Sequence, residues 1–298
     1  MIQRSGIKEI VMSFLSLVKF SHTIFAMPFA LVGFVLALAT SDKTFTWQLF
    51  VPVIVAMVTA RNAAMAFNRY ADRKIDAANP RTSGREIPSG KLSENGVLFF
   101  IVANLLLFVV STWFINMASF ILSFPTLAVL IGYSYMKRIT WLSHYVLGIA
   151  LAIAPSGAYI AVTGVLEPAP VILSILVFLW VSGFDIIYSL SDEKFDREHA
   201  LYSIPGAKGR RNALRISSAG HIMVFPFLIL FFLEVNNSYG QLLGLYYITG
   251  SLLFCALLLW QHSIISAKDI SRVNAAFFTA NGFASLLFAL LTIADLLF

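Results

Sequence analysis

Nine apolar runs, most of them close to the ~20 residues that cross a bilayer, recur along this 298-residue chain. No soluble domain buries that many. They are read as helices near residues 20–39, 47–68, 95–113, 118–136, 142–163, 170–190, 213–234, 240–262 and 274–296. The expected fold is therefore an all-α polytopic membrane protein, a single domain over 1–298 with no soluble module.

The connections support this count independently, because their charge alternates. Lys and Arg fall in the N-terminal segment (Arg4, Lys8, Lys19), at 69–91, at Lys137 and Arg138, at 194–215, and at Lys268 and Arg272. The opposite loops, near 40–46, 114–117, 164–169 and 235–239, hold Lys43 alone among the cations. By the positive-inside rule the N-terminus is cytoplasmic, in a bacterial inner membrane, and nine spans put the C-terminus outside. The net charge of +6 is dispersed through membrane-edge loops that also carry acids, so it argues for anionic lipid or an anionic substrate and against nucleic acid. Cys255 is the single cysteine, which excludes an intramolecular disulfide or a thiolate metal cluster. Glu9 and the lack of a small-residue cleavage site argue against a cleaved signal peptide.

In a chain that is 59% hydrophobic and 12% charged, the placement of the acids carries the functional information. Asn68, Asp72 and Asp76 are spaced by four, and Asp185, Tyr188, Asp192 and Asp196 by three or four, so each set shares one helix face. Arg61 falls on the first face. Each set sits at the expected cytoplasmic end of a helix and runs into a long polar loop, 69–92 or 191–212, with room for a short helix. Ile87-Pro88-Ser89-Gly90-Lys91 pairs roughly with Ile204-Pro205-Gly206-Ala207-Lys208. This suggests a pseudo-repeat of helices 1–4 and 5–8, with helix 9 left over.

Facing carboxylate sets repel unless cations lie between them, and oxygen ligands without His or Cys select Mg2+. Mg2+ so bound completes its shell with water and phosphates, and diphosphate is the natural bridge. Arg73, Lys74, Arg81, Arg85 and Lys91 follow the first motif, Lys194, Arg197 and Lys208 the second, and Lys137 and Arg138 leave helix 4 on the same side. Such a surface could hold a diphosphate and stabilise the charge that grows on it as a C–O bond breaks. The chemistry implied is ionisation of an allylic polyprenyl diphosphate whose tail lies among the helices. A lone Asp at a helix end is commonly a solvated cap; two matched pairs are poorly explained that way. Asp185, a carboxylate inside a membrane helix, requires a partner. A secondary transporter also carries repeats and an intramembrane acid, but its site usually lies at the midplane.

At these residues the chain resembles the UbiA family of intramembrane aromatic prenyltransferases: NRYADRKID at 68–76, RTSGREIPSG at 81–90, YSYMKR at 133–138 and DIIYSLSDEKFD at 185–196. The resemblance implies nine transmembrane helices around a central cavity and Mg2+-dependent prenylation of a small aromatic acid. By motif position, Asn68, Asp72 and Asp76 would serve one metal and Asp192 and Asp196 the other. Arg61, Lys137 and Arg138 match basic positions associated with diphosphate, which Arg73, Lys74, Arg85 and Lys194 could assist. Asp185 and Tyr188 match the polar face beside the acceptor. Lys19-Phe20-Ser21-His22 departs from the Arg-x-Asp-Lys-Pro-x-Gly pattern of 4-hydroxybenzoate enzymes. With His199-Ala200-Leu201-Tyr202-Ser203-Ile204-Pro205 it looks more like a branch linked to 1,4-dihydroxy-6-naphthoate and menaquinone. Lys19 or His22 would then meet the acceptor carboxylate. Family members that use haem or chlorophyllide as acceptor are a further alternative.

Overall fold

The computed structural model describes residues 6–19 and 25–298. Every regular element among them is helical: α1 (Ile7–Leu17), α2 (Met27–Ala39), α3 (Trp47–Ala71), α4 (Arg73–Ala78), α5 (Glu94–Ile115), α6 (Met117–Gly132), α7 (Ser143–Thr163), α8 (Pro168–Ser189), α9 (Glu193–Glu198), α10 (Ile204–Tyr239), α11 (Leu245–Ser263) and α12 (Asn281–Leu297). A 3-10 stretch, Tyr133–Arg138, prolongs α6, and a π-helical stretch, Ala275–Ala280, precedes α12. Eight helices among the described residues are long and apolar enough to cross a bilayer. The chain is an all-α polytopic membrane protein.

The ninth expected span, 20–39, is represented by α2. Its 13 residues reach only about 20 Å, short of a hydrocarbon core. Residues 20–24, His22 among them, lie outside the described residues. Helix 2 runs past its expected end at 68 to Ala71, and helix 7 begins at Ile204 instead of 213, so the loops 69–92 and 191–212 are partly helical. Hydropathy misses these ends because they are polar. In α10 the chain turns sharply at Gly209, whose φ of 76° suits a residue without Cβ. The amphipathic helix α1 lies in the N-terminal segment that the sequence presents only as a carrier of Lys and Arg, with Ile10, Val11, Met12 and Leu15 outward.

Local chemistry sets several boundaries. Thr46, Ser93, Asn116 and Ser203 each cap a helix by accepting a backbone N–H. In lipid the hydrophobic effect does not drive helices together, so close packing and polar contacts must. Two glycines allow the closest approaches: a Cβ on Gly33 would lie 2.2 Å from the Pro155 carbonyl oxygen, and one on Gly148 would lie 2.2 Å from Ser182 Oγ. These seat α2 on α7 and α7 on α8. Trp180 at the centre of α8 is fully buried and donates from Nε1 to Asn281 Oδ1 at 2.8 Å, tying α8 to α12. The outer faces of α5 and α6 show Phe99, Leu106, Phe114 and Ile121, as expected of lipid-facing surface.

Candidate active site

Both acidic motifs adopt the same local form. The long helix α3 breaks at Asp72 (φ −90°, ψ 4°), and six-residue α4 places Asp76 at its fourth position. Helix α8 passes through one 3-10 turn to Asp192 (φ −102°, ψ −1°), and six-residue α9 places Asp196 at its fourth position. The first Asp of each pair thus occupies the sparsely populated bridge region between helical segments. The proposed partner stretches differ: 87–91 is a turn, whereas 204–208 opens α10.

Asp72, Asp76, Asp192 and Asp196 line one cavity of about 840 Å3. Each carboxylate meets a cation. Arg138 Nη2 contacts Asp72 Oδ1 at 2.7 Å, Arg85 Nη1 contacts Asp76 Oδ1 at 2.6 Å, and Lys137 Nζ lies 3.8 Å from Asp196 Oδ2. Arg81 grips Asp192 with a fork, Nη2 to Oδ2 at 2.6 Å and Nε to Oδ1 at 2.8 Å, and also donates to the Tyr188 hydroxyl at 3.2 Å. That side chain leaves the loop after the first motif and bridges to the second. Asn68 Nδ2 donates to Asp72 Oδ2 at 3.3 Å. Burial pushes the Asp72 carboxyl above its usual range, and the Arg138 hydrogen bond opposes that shift.

Asp185 and Tyr188 line the same cavity from α8. The partner that an intramembrane carboxylate requires is His144, on α7 and fully buried, whose Nδ1 lies 2.7 Å from Asp185 Oδ2. Its Nε2 accepts the Ile204 backbone N–H at 3.3 Å. With Nε2 in that role, Nδ1 is the nitrogen that donates to Asp185. In the turn between α9 and α10, Ala200 takes a left-handed φ of 52°, and the Tyr202 N–H donates to the Lys137 carbonyl at 2.7 Å. This turn keeps the α10 N-terminus against both Lys137 and His144.

Other expected residues lie elsewhere. Arg61 lines the cavity but spends its guanidinium on the Val18 and Lys19 carbonyls, at 3.1 and 2.8 Å. It clamps the chain after α1, and Lys19 itself is not among the lining residues. Arg73 pairs outward with Glu94 at 2.8 Å and sits over the Tyr70 ring. Lys194, with its side chain 88% exposed, lies 3.9 Å from Glu198. Neither Lys74 nor either of these two lines the cavity. Residues given no individual role by the sequence are prominent instead: Arg69, Asn79, Arg81 and His144. Arg81 had a signal in its place after the first motif; His144 had none, being 41 residues from Asp185.

The donor set suits a hard divalent cation. Asp76 Oδ2 and Asp196 Oδ2, one from each motif, are buried and have no hydrogen-bond partner. Among the described residues no three His, Cys, Asp or Glu side chains gather as a metal cage. An ion held here by one or two carboxylates would draw its remaining ligands from water or substrate, which is the habit of Mg2+.

The pattern of the UbiA prenyltransferase family matches residues 26–287. The chain belongs to that family. Its UbiA relatives include the 4-hydroxybenzoate octaprenyltransferase of Tolumonas auensis, 30% identical over 230 residues, 77% of this chain and 78% of that protein. The enzyme of the same name from Aliivibrio fischeri (strain ATCC 700601 / ES114) is 27% identical over 242 residues, 81% and 82%. Among solved structures, an apo UbiA homolog from Aeropyrum pernix K1 superposes with a TM-score of 0.76 at 30% identity, covering 93% of this chain and 97% of that one. A UbiA homolog from Archaeoglobus fulgidus bound to GPP and Mg2+ reaches 0.72 at 18% identity, covering 96% and 100%, and speaks for the fold alone.

Proposed function

We propose that this protein transfers a polyprenyl group from an allylic polyprenyl diphosphate to a hydroxylated aromatic carboxylate, with Mg2+, in quinone biosynthesis. The observation that carries this reading is the pair of buried carboxylate oxygens without a hydrogen bond, Asp76 Oδ2 and Asp196 Oδ2, in a cavity whose remaining wall is largely apolar. Asn68, Asp72 and Asp76 would hold one Mg2+ and Asp192 and Asp196 another. Bound there, Mg2+ would neutralise the diphosphate and ease departure of the leaving group.

Arg85, Lys137 and Arg138, already beside these carboxylates, would turn to the diphosphate oxygens. The allylic C–O bond breaks with its electron pair going to diphosphate, a ring carbon of the acceptor forms the new C–C bond, and the ring proton is then lost. Asp185 is held by His144 through Oδ2, which leaves Oδ1 to accept a hydrogen bond from the acceptor hydroxyl. Apolar side chains from α5, α6 and α7 exclude water from the cation while the tail lies between them. The acceptor is 4-hydroxybenzoate or 1,4-dihydroxy-6-naphthoate. The charged ends face the cytoplasm of a bacterial inner membrane, with α2 contributing to a ninth span and two four-helix units as the repeat.

The test is prenyl transfer in membranes containing the protein, with Mg2+, a long-chain allylic diphosphate and each acceptor in turn, read by mass spectrometry. Product with the benzoate assigns ubiquinone-type synthesis, and product with the naphthoate alone assigns menaquinone. No Mg2+-dependent product with any aromatic acceptor would overturn the proposal.

A further inference from the structure

Arg69, one residue after Asn68, is 9% exposed and lines the cavity near its charged end. Four neighbouring cations in this region, Arg81, Arg85, Lys137 and Arg138, are each matched to a carboxylate. Arg69 is not. Its Nε is buried with no hydrogen-bond partner, and the guanidinium makes no ion pair among the described residues. It lies in the field of Asp76, Glu86, Arg85 and Tyr188. Yet Asp76 Oδ1 is engaged by Arg85, and Glu86 accepts the Ser16 hydroxyl.

A buried guanidinium without a hydrogen-bond acceptor is costly, and a planar fork facing a cavity fits a phosphate or carboxylate. We propose that Arg69 is an oxyanion-binding residue of the cavity, completed by an anionic group of a substrate. This rests on the proposed reaction, which supplies two such groups: the diphosphate of the donor and the carboxylate of the acceptor. The shared chemistry is a bidentate oxyanion, and the two sources separate by experiment.

The experiment compares the full-length protein in detergent with Arg69→Gln and Arg69→Lys. Thermal unfolding is followed with inorganic pyrophosphate plus Mg2+ or with 4-hydroxybenzoate, and steady-state prenyl transfer gives KM for each substrate. Loss of one charge-assisted fork corresponds to about a tenfold or larger rise in KM. Arg69→Gln is expected to raise one KM by that factor, leave the other within about twofold, and lose protection by the corresponding anion. Arg69→Lys should recover part of both. A raised diphosphate KM assigns the donor, and a raised acceptor KM assigns the carboxylate. If Arg69→Gln folds with both KM values and both protections unchanged, the assignment is wrong. Should Arg69→Gln not fold, Arg69→Lys decides alone: unchanged KM values and protections overturn the proposal. If the wild-type protein transfers no prenyl group, the protections still decide Arg69, so its failure and that of the reaction are told apart.

Discussion

The two acidic motifs share a backbone form but not a setting. Helix α8, which delivers the second, has 56% of its apolar window buried, against 28% for α3, which delivers the first. Trp180, Phe184 and Ile187 pack α8 into the core on the way to Asp192, so the second motif stands on a fixed support. The first motif instead supplies the reach. Its following loop sends Arg85 back to Asp76 and Arg81 across to Asp192. One motif is a platform and the other a clamp, whose arginines reach the carboxylates of both motifs.

The largest expected effect tests what the motifs share. Asp72→Asn or Asp192→Asn should lower turnover by ~1,000-fold or more while leaving membrane insertion intact, because each removes a full ligand charge. Chelating Mg2+ should do the same to the wild-type protein. Retained turnover in both variants would sink the mechanism. Arg81→Ala breaks the asymmetry itself. A loss of about 10- to 100-fold in kcat/KM is expected, since Asp192 and Tyr188 lose their common donor. The matching removal of Arg138 should cost less, because Arg138 gives Asp72 a single hydrogen bond where Arg81 gives Asp192 a two-bond fork. Equal losses in the two variants would mean that the motifs are interchangeable.

These contrasts also mark what is legible in the sequence. Eight of the nine apolar runs appear as helices long enough to span, because bilayer thickness fixes their length. The four-residue spacing brings Asn68, Asp72 and Asp76 to one side because the helix period does so. Polar helix ends escape hydropathy: the turns 69–71 of α3 and 204–212 of α10 read as loop. Contacts between distant segments escape periodicity altogether. Nothing near Asp185 announces His144, and nothing near Asp192 announces Arg81, 111 residues earlier. Side-chain direction escapes as well, since Arg73 and Arg85 look alike as basic neighbours while one faces Glu94 and the other Asp76.

A smaller effect sharpens the platform side. In His144→Asn the amide nitrogen can replace Nδ1 as donor to Asp185, while in His144→Gln the side chain reaches toward the Ile204 N–H instead. If His144 positions Asp185, the Asn variant keeps most of kcat and the Gln variant loses about tenfold, with the diphosphate KM unchanged in both. Equal kcat in the two variants would reduce His144 to a packing residue.

The smallest effect belongs to the basic residues that point away from the cavity. Arg73→Ala removes an ion pair whose Glu94 partner is more than half exposed, and Lys194→Ala one in which both side chains are. Exposed pairs contribute little, and neither residue reaches the cavity wall. Both variants should keep kcat and both KM values within about twofold. A large rise in the diphosphate KM for Arg73→Ala would mean that its guanidinium swings inward when the anion arrives. The clamp would then include both faces of α4, and the division of labour between the motifs would be steeper than the resting contacts suggest.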